Sequence, residues 1–475
     1  MSIKEISCDC VVIGAGTAGL EAYREAAAAG RCCILVDAGP LGTSAQRSGE
    51  IPASYLMSAG LSMHALSALD KCGILANFSG FDTSGVLNVI RVERSRATSD
   101  VLTFLYRIPE ERRLRGRACF EDPYTLKAGE EFRVHFKTAV IATGSEPLVT
   151  YEQSRLRGIL TTNEFYDQET LPESAAVFGS SATGLQLGQA LSYLGVNVVV
   201  FGQRKLWELS DEAVLALALE MFSDRFNLAI DSFITAIDTE EEGYSIYYID
   251  DGRFENYLHM QKVIAATDRI PNVGGLNLVA VGVKQAATGR IIVDEGTMQT
   301  SVPHIFAAGG VCCEKESSVV SRTQGRCAGR NAASFPQLHQ MPPLVNISVA
   351  YTDPQLAIVG CSLENMKSRA LDTGSNFVVS QSRFGDIISD GRHHSGGIVS
   401  MYTDERTHRV MGAEICAHDA AHLAQLLALA ISLKSRAEDL QEFNFLRLSG
   451  EEHLRRAAAS ACTALSGLGR VSGLI

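Results

Sequence analysis

A near-continuous apolar strand, CVVIGAG (10 to 16), runs straight into a glycine turn, an alanine-rich helix, TAGLEAYREAAAAG, and a second apolar strand, CCILVDAG. Strand, glycine turn, helix and strand in that order predict a βαβ unit. Strands apolar on both faces suit a parallel sheet covered on both sides. The same order recurs in AAVFGSSATGLQLGQALSYLGVNVVVFGQ (175 to 203), with a weaker glycine pattern. Two such units predict two nucleotide-binding folds, and a chain of 475 residues is too long for one ordinary core.

The remaining segments fit around these units. KTAVIATGSEP (137 to 147) and QKVIAATDRIPN (261 to 272) are each an apolar strand ending in a small-residue turn, and read as crossovers between domains. TSVPHIFAAGG (300 to 310) adds a short strand before another glycine turn. From about Leu344, strands (NISVAYTDP, GGIVSMYTD, RVMGAEIC) and an apolar helix (HDAAHLAQLLALAISLK) predict an α+β terminal domain. The divisions expected are 1–150, 151–272, 273–343 and 344–475. The acidic run 240–242 and the mixed segment EERRLRGR (110 to 117) are expected to be solvated surface.

Composition excludes several function classes. A formal charge of −12 disfavours binding to a phosphate backbone, so no nucleic-acid partner is expected. No apolar run approaches the ~18 residues needed to span a bilayer, and the N-terminal MSIKEISCDC lacks a signal-type pattern. A cytoplasmic protein without membrane partner is the expectation. Twelve cysteines in a chain this long do not form a disulfide scaffold. Cys8, Cys10, Cys32 and Cys33 read as packing residues of strands. The cysteines and histidines also lack metal-ligand spacing, so no metal is expected.

GAGTAG (14 to 19) carries the clearest chemistry. Gly14 permits the tight turn, Gly16 lets backbone approach a pyrophosphate, and Gly19 allows close packing of a helix whose N-terminal dipole favours an anion. Asp37, at the end of the next strand, is placed to accept hydrogen bonds from a ribose.

With these motifs the whole chain resembles the pyridine nucleotide-disulfide oxidoreductases, most closely the dihydrolipoyl dehydrogenases. GAGTAG, GPLGT, IATGSEP, LGQALSYLGV, RIPN, TSVPHIFAAG, YTDPQLAIVG and MGAEI stand in family order. The resemblance implies an α/β fold with two Rossmann-like domains, one for FAD and one for NAD(P), a central segment and a C-terminal α+β dimerisation domain, assembled as a homodimer. It implies FAD held by Gly14, Gly16, Gly19, Asp37, Thr143, Gly144, Gly309 and Gly310, and NAD or NADP held by Gly179 and Gly184.

The departures fall at the family's chemical centre. Ala45 and Glu50 stand at the two redox-cysteine positions, and thiolate exchange requires sulfur there. Glu50 has three outcomes open to it: solvent, a pair with Arg47, or protonation on burial. Ser54 and Gln186 replace a lysine and glutamate that normally pair. Losing both partners of a buried pair is nearly neutral where losing one is costly. Arg447 stands at the catalytic histidine position with Glu452 retained; arginine cannot act as that base, and an Arg447–Glu452 salt bridge is expected. His453 is expected on a different helix face from Glu452.

Nucleotide binding shows departures too. Ser181 replaces the middle glycine of the second turn, where its side chain is expected to crowd a pyrophosphate. Gly202 ends the next strand in place of an acid, and Arg204 and Lys205 follow, either as solvated residues or as a 2′-phosphate site. Asp268 replaces the glycine of the second ATG-like turn. Gly310 stands where the family has an aspartate for the flavin ribityl chain. Cys312 and Cys313, just beyond it, either pack or take a redox role. The expectation is an FAD-binding dimeric homologue without dihydrolipoyl dehydrogenase activity, with no catalytic residue intact, whose role is binding or regulation and includes a protein partner. The alternative is an FAD-dependent NAD(P)H oxidoreductase with a non-disulfide acceptor such as oxygen, a quinone or a second nicotinamide.

Overall fold

The computed structural model describes residues 3–467 apart from 68, 70–72, 76–79, 203–205, 251–253, 314–316, 386–395 and 448. The first strand, β1 (Lys4–Ile13), passes through Gly14 into α1 (Thr17–Ala28) and β2 (Cys33–Asp37). β1 lies parallel to both β2 and β3 (Phe132–Ile141), pairing Cys10 with Cys33 and Val11 with Ala139. A strand flanked on both edges and covered on both faces buries every side chain, which is why Cys10, Val11 and Val12 are fully buried.

Between β2 and β3 the chain forms α2 (Ser44–Arg47), α3 (Glu50–Ser67) and α4 (Thr83–Arg107). The sheet runs Arg113–Arg115, β2, β1, β3, Thr125–Ala128, Ala118–Asp122, and Ile305–Ala307 joins β3 from far along the chain. One expectation is corrected here. The segment 110–117 is more than solvated surface: Arg113–Arg115 pairs with β2 as an edge strand, and Leu114 is buried. Its arginines masked a single apolar residue facing the core.

The second unit repeats the order with β4 (Ser174–Phe178), α5 (Ala182–Tyr193) and β5 (Asn197–Phe201). Its parallel sheet runs Asn227–Ala229, β5, β4, Lys262–Ala265, Leu160–Thr161. α6 (Glu212–Ser223) follows, its N-terminus capped by Asp211, which accepts from the N–H groups of Ala213 and Val214. The C-terminal sheet is antiparallel, in the order Ile347–Ala350, Gln355–Gly360, Val410–Ala417, Gly397–Asp404, Phe377–Phe384.

Three further helices pack onto the first unit and the C-terminal sheet. α7 (Ser318–Ser334) crosses α1 so closely that a Cβ on Gly325 would lie 2.2 Å from the Ala18 carbonyl oxygen and one on Gly329 2.3 Å from that of Ala22. α8 (Ala420–Ser432) and α9 (Glu451–Leu465) cover the C-terminal sheet with Leu423, Leu427, Leu454 and Ala457. The fold is thus α/β with two Rossmann-like units and an α+β C-terminal part. Among the described residues, no helix is long and apolar enough to cross a membrane.

Buried polar groups join the second unit to the C-terminal sheet. Glu414, wholly buried, accepts from the N–H groups of Ser210 (2.8 Å), Asp211 (2.9 Å) and Leu363 (2.9 Å). Asp353, also buried, pairs with Arg225, while Gln189 on α5 donates to its carbonyl (2.6 Å) and accepts from its N–H (2.7 Å). Main-chain donors satisfy one carboxylate and a guanidinium the other, so neither is left uncompensated.

Candidate functional site

The first glycine turn has the geometry of a dinucleotide cradle. Gly14 has φ of +106°, and a Cβ there would stand 2.3 Å from the Ala142 carbonyl oxygen. A Cβ on Gly19 would stand 1.9 Å from the Gly14 carbonyl oxygen, so helix and turn touch backbone to backbone. A Cβ on Gly16, by contrast, would meet nothing within 4 Å beyond its chain neighbours. Space is kept open at the position expected from sequence to face a pyrophosphate. Asp37 binds the turn itself: Oδ2 accepts from Ala15 N–H and Oδ1 from Gly39 N–H, both at 2.6 Å.

Two further loops close on this turn. Thr143 donates its hydroxyl to the Asn272 carbonyl (2.7 Å), and Asn272 donates from its side chain to the Thr143 carbonyl (3.1 Å) and from its N–H to that of Gly144 (2.9 Å). Gly309, at φ of +81°, donates its N–H to the Gln324 side chain on α7 (2.9 Å), and Gly310 beside it is buried. Gly14, Gly16, Gly19, Asp37, Thr143, Gly144, Gly309 and Gly310 thus stand on loops braced to one another. Asn272 and Gln324 do the bracing, and sequence reasoning missed both. The RIPN segment was their only signal, and it covers Asn272 alone.

The second turn keeps the frame and changes the filling. Gly179 has φ of +125°, and a Cβ on Gly184 would lie 2.0 Å from the Gly179 carbonyl oxygen. The Ser181 hydroxyl, expected to crowd a pyrophosphate, is turned inward: it donates to the Ala266 carbonyl (2.7 Å) and accepts from Gly184 N–H (3.2 Å), capping α5. At Gly202 a Cβ would meet Ser180 Oγ at 2.7 Å, so the Ser180 side chain fills the place of a longer strand-end residue. Arg204 and Lys205 lie outside the described residues. Asp268 is exposed, and its carbonyl accepts from Leu148 N–H (2.7 Å).

At the positions expected from sequence to match the redox cysteines, Ala45 lies within α2 and Glu50 begins α3. Glu50 is exposed and does not pair with Arg47. Its carboxylate accepts from the Ser318 hydroxyl (2.9 Å) and backbone N–H (3.4 Å), at the first turn of α7. That helix end has unsatisfied N–H groups and a positive dipole, which explains the preference for a carboxylate. Arg47 instead folds back, donating from Nε to the Gly42 carbonyl (3.0 Å). Ser54 is exposed, bonded to the Ile51 carbonyl one turn earlier (2.8 Å), and Gln186 is half-buried on α5.

The Arg447–Glu452 salt bridge does not form. Arg447 is exposed, and Glu452 pairs with Arg455 (2.8 Å) and Arg456 (3.8 Å) on its own helix. Arg455 lies three residues on along α9, the spacing that brings side chains together, whereas Arg447 precedes the helix. The Arg455 hydrogen bond holds the Glu452 carboxyl below its ordinary range. His453 faces elsewhere, stacked on Phe384 (3.8 Å between rings) with Nδ1 2.9 Å from the Ser382 hydroxyl. Burial raises the Cys312 thiol to about 12, which leaves it protonated and a poor nucleophile. Among the described residues no cluster of His, Cys, Asp or Glu is placed to hold a metal ion.

Comparisons with known proteins agree with this architecture. The pyridine nucleotide-disulphide oxidoreductase model matches residues 8–328, and the dimerisation domain of the same group matches residues 347–458. The chain is similar to the dihydrolipoyl dehydrogenase of Haemophilus influenzae, 27% identical over 454 residues, covering 92% of this chain and 91% of the relative. It is also similar to that of Vibrio cholerae, 27% identical over 458 residues and 92% of each chain. Among solved structures, the HOCl-induced flavoprotein disulfide reductase RclA of Escherichia coli superposes with a TM-score of 0.79 at 16% identity, over 95% of this chain and 99% of that one. At that identity the likeness concerns the fold.

Proposed function

The chain belongs to the pyridine nucleotide-disulphide oxidoreductase family, and we propose that it is a homodimeric FAD-binding member that carries out no dithiol–disulfide exchange. Family membership implies binding of FAD and NAD(P). The observation that carries the proposal is Glu50, whose carboxylate sits on Ser318 at the position of the second redox cysteine. Disulfide exchange is an attack by thiolate on sulfur, and neither a methyl group at Ala45 nor a carboxylate at Glu50 performs it. Arg447 stays protonated near neutral pH, so it supplies no base toward a dithiol. The match of 347–458 to a dimerisation domain supports the homodimer, as do the exposed apolar residues Leu429, Leu433, Phe443 and Leu446.

Within that frame a role in binding or regulation is the favoured reading. A second reading, oxidation of NAD(P)H with a non-disulfide acceptor, is favoured by the backbone contact of Gly179 and Gly184, which keeps the second turn tight. FAD, when bound, supplies electron-transfer chemistry that needs no sulfur. One preparation separates the readings. The purified protein is expected to show flavin absorbance or to take up added FAD. A colourless protein that takes up none sinks both readings. Anaerobic NADH and NADPH should leave the flavin colour unchanged, and bleaching by either favours the oxidoreductase. Dihydrolipoamide turnover near that of an ordinary dihydrolipoyl dehydrogenase would overturn the central claim.

A further inference from the structure

We propose that Arg47 is a binding residue for the phosphates of the dinucleotide carried by the first glycine turn, an inference that rests on the flavin-binding reading above. Arg47 ends α2 and folds over the loop that leads away from Asp37: its Cδ lies 3.5 Å from where a Gly42 Cβ would stand, and its Nε donates to the Gly42 carbonyl. The same loop is pinned at its other end by Gly39 N–H on Asp37, whose second oxygen holds Ala15 inside GAGTAG. The four loop residues 39–42 thus connect the guanidinium, through Asp37, to the turn where a Cβ on Gly16 would meet nothing within 4 Å.

Among the described residues Arg47 has no carboxylate in hydrogen-bond or salt-bridge contact with it. It is half-buried, and burial pushes its guanidinium pKa down; the charges of Asp37 and Asp167 oppose that shift and the charge of Arg94 adds to it. Asp37 has already given both oxygens to backbone N–H groups. Arg94 has its own partner, Asp167, at 2.6 Å, and binds only the Arg47 carbonyl. Among the described residues no acceptor meets the Nη groups of Arg47. A partly desolvated guanidinium with a free fork of donors is suited to planar or multidentate anions, phosphate above all. Glu50, the nearest acid in sequence, is turned to Ser318.

The test measures FAD affinity of the apoprotein by titration, for wild type, Arg47→Gln and Arg47→Lys, together with the melting temperature of each apoprotein. Arg47→Gln should weaken FAD binding roughly ten- to a hundredfold while its apoprotein melts as wild type does. Arg47→Lys, which keeps the charge but gives up the guanidinium bond to Gly42, should lose less than about tenfold. FAD affinity of Arg47→Gln within about twofold of wild type overturns the proposal. So does an equal loss in both variants, which would assign the effect to the Gly42 bond. If Arg47→Gln does not fold, Arg47→Lys decides alone, and FAD affinity within about twofold of wild type counts against the proposal. Failure of the wild type to bind FAD would sink the flavin-binding reading, whereas failure of the variants to differ sinks only the role of Arg47.

Discussion

Glu50 and Ser318 lie 268 residues apart in sequence and meet through a hydroxyl and a backbone N–H. An exposed carboxylate on a helix N-terminus is a modest interaction, so Glu50→Ala should cost about 0.5–1.5 kcal/mol, read as a small fall in the urea midpoint. Dihydrolipoamide turnover should be absent before and after the change; a gain would mean that Glu50 had been blocking chemistry rather than replacing it. Glu452 carries a pH prediction. Its folded pKa is lowered, chiefly by Arg455, so its stabilisation is fully present above the unfolded carboxylate value and is lost as pH falls through the folded one. Glu452→Gln should therefore narrow the stability difference between pH 7 and pH 3, measured by urea unfolding at both; an unchanged difference would count against the pairing. Residues of this kind differ in how legible they are from sequence. Gly14, Gly16, Gly19 and Asp37 follow from local spacing because turn, helix and strand end all lie within one unit. Ser318 and Gln324 carry no motif of their own, and Asn272 only that of its RIPN segment, since their partners come from other segments, and Arg447 misled because sequence nearness to Glu452 is not helical spacing.

The crossing of α1 and α7 is the element on which the first cradle depends. Gly325 and Gly329 stand four residues apart, one helical turn, and face Ala18 and Ala22, which are spaced alike. Small residues on both sides let the two backbones touch, and Glu21 of α1 fastens the contact through Arg326 of α7 (2.9 Å). Gly329→Ala places a methyl group 2.3 Å from the Ala22 carbonyl, and backbone cannot yield as a flexible side chain does. The helices must move apart, at a cost of roughly 1–3 kcal/mol by analogy with overpacking. Because α7 also carries Gln324, which holds Gly309, FAD affinity should fall along with the melting temperature. Gly274→Ala is the control: nothing lies within 4 Å of that position, and both quantities should stay near wild type. If Gly329→Ala also stays near wild type, α7 does not hold the cradle. The first βαβ unit was readable in full, yet its partnership with α7 was not, because the glycines at 325 and 329 sit in a helix without a motif of its own.

At the scale of the whole molecule, the unit behind the second glycine turn is fixed to the C-terminal sheet by charge rather than by apolar packing alone. Asp353 and Arg225 form the ion pair, with the Tyr193 hydroxyl 3.0 Å from Arg225 and 3.2 Å from Asp353, and His64 of α3 stacked on the Tyr193 ring at 4.3 Å. The site thereby reaches all three parts of the fold: α3, which begins at Glu50, α5, which begins beyond Ser181, and the loop before Gln355–Gly360. Removing one member of a buried pair leaves the other uncompensated, so Asp353→Asn should destabilise by about 3–5 kcal/mol. Asp353→Asn with Arg225→Met should cost less than the sum of the single changes, because the second removes the charge that the first leaves unpaired. Urea unfolding of the four proteins gives the coupling directly. Additive losses would mean that the pair contributes no mutual stabilisation. A sub-additive loss in which the second unit also unfolds ahead of the rest would identify the junction as what keeps the two nucleotide folds in one cooperative structure.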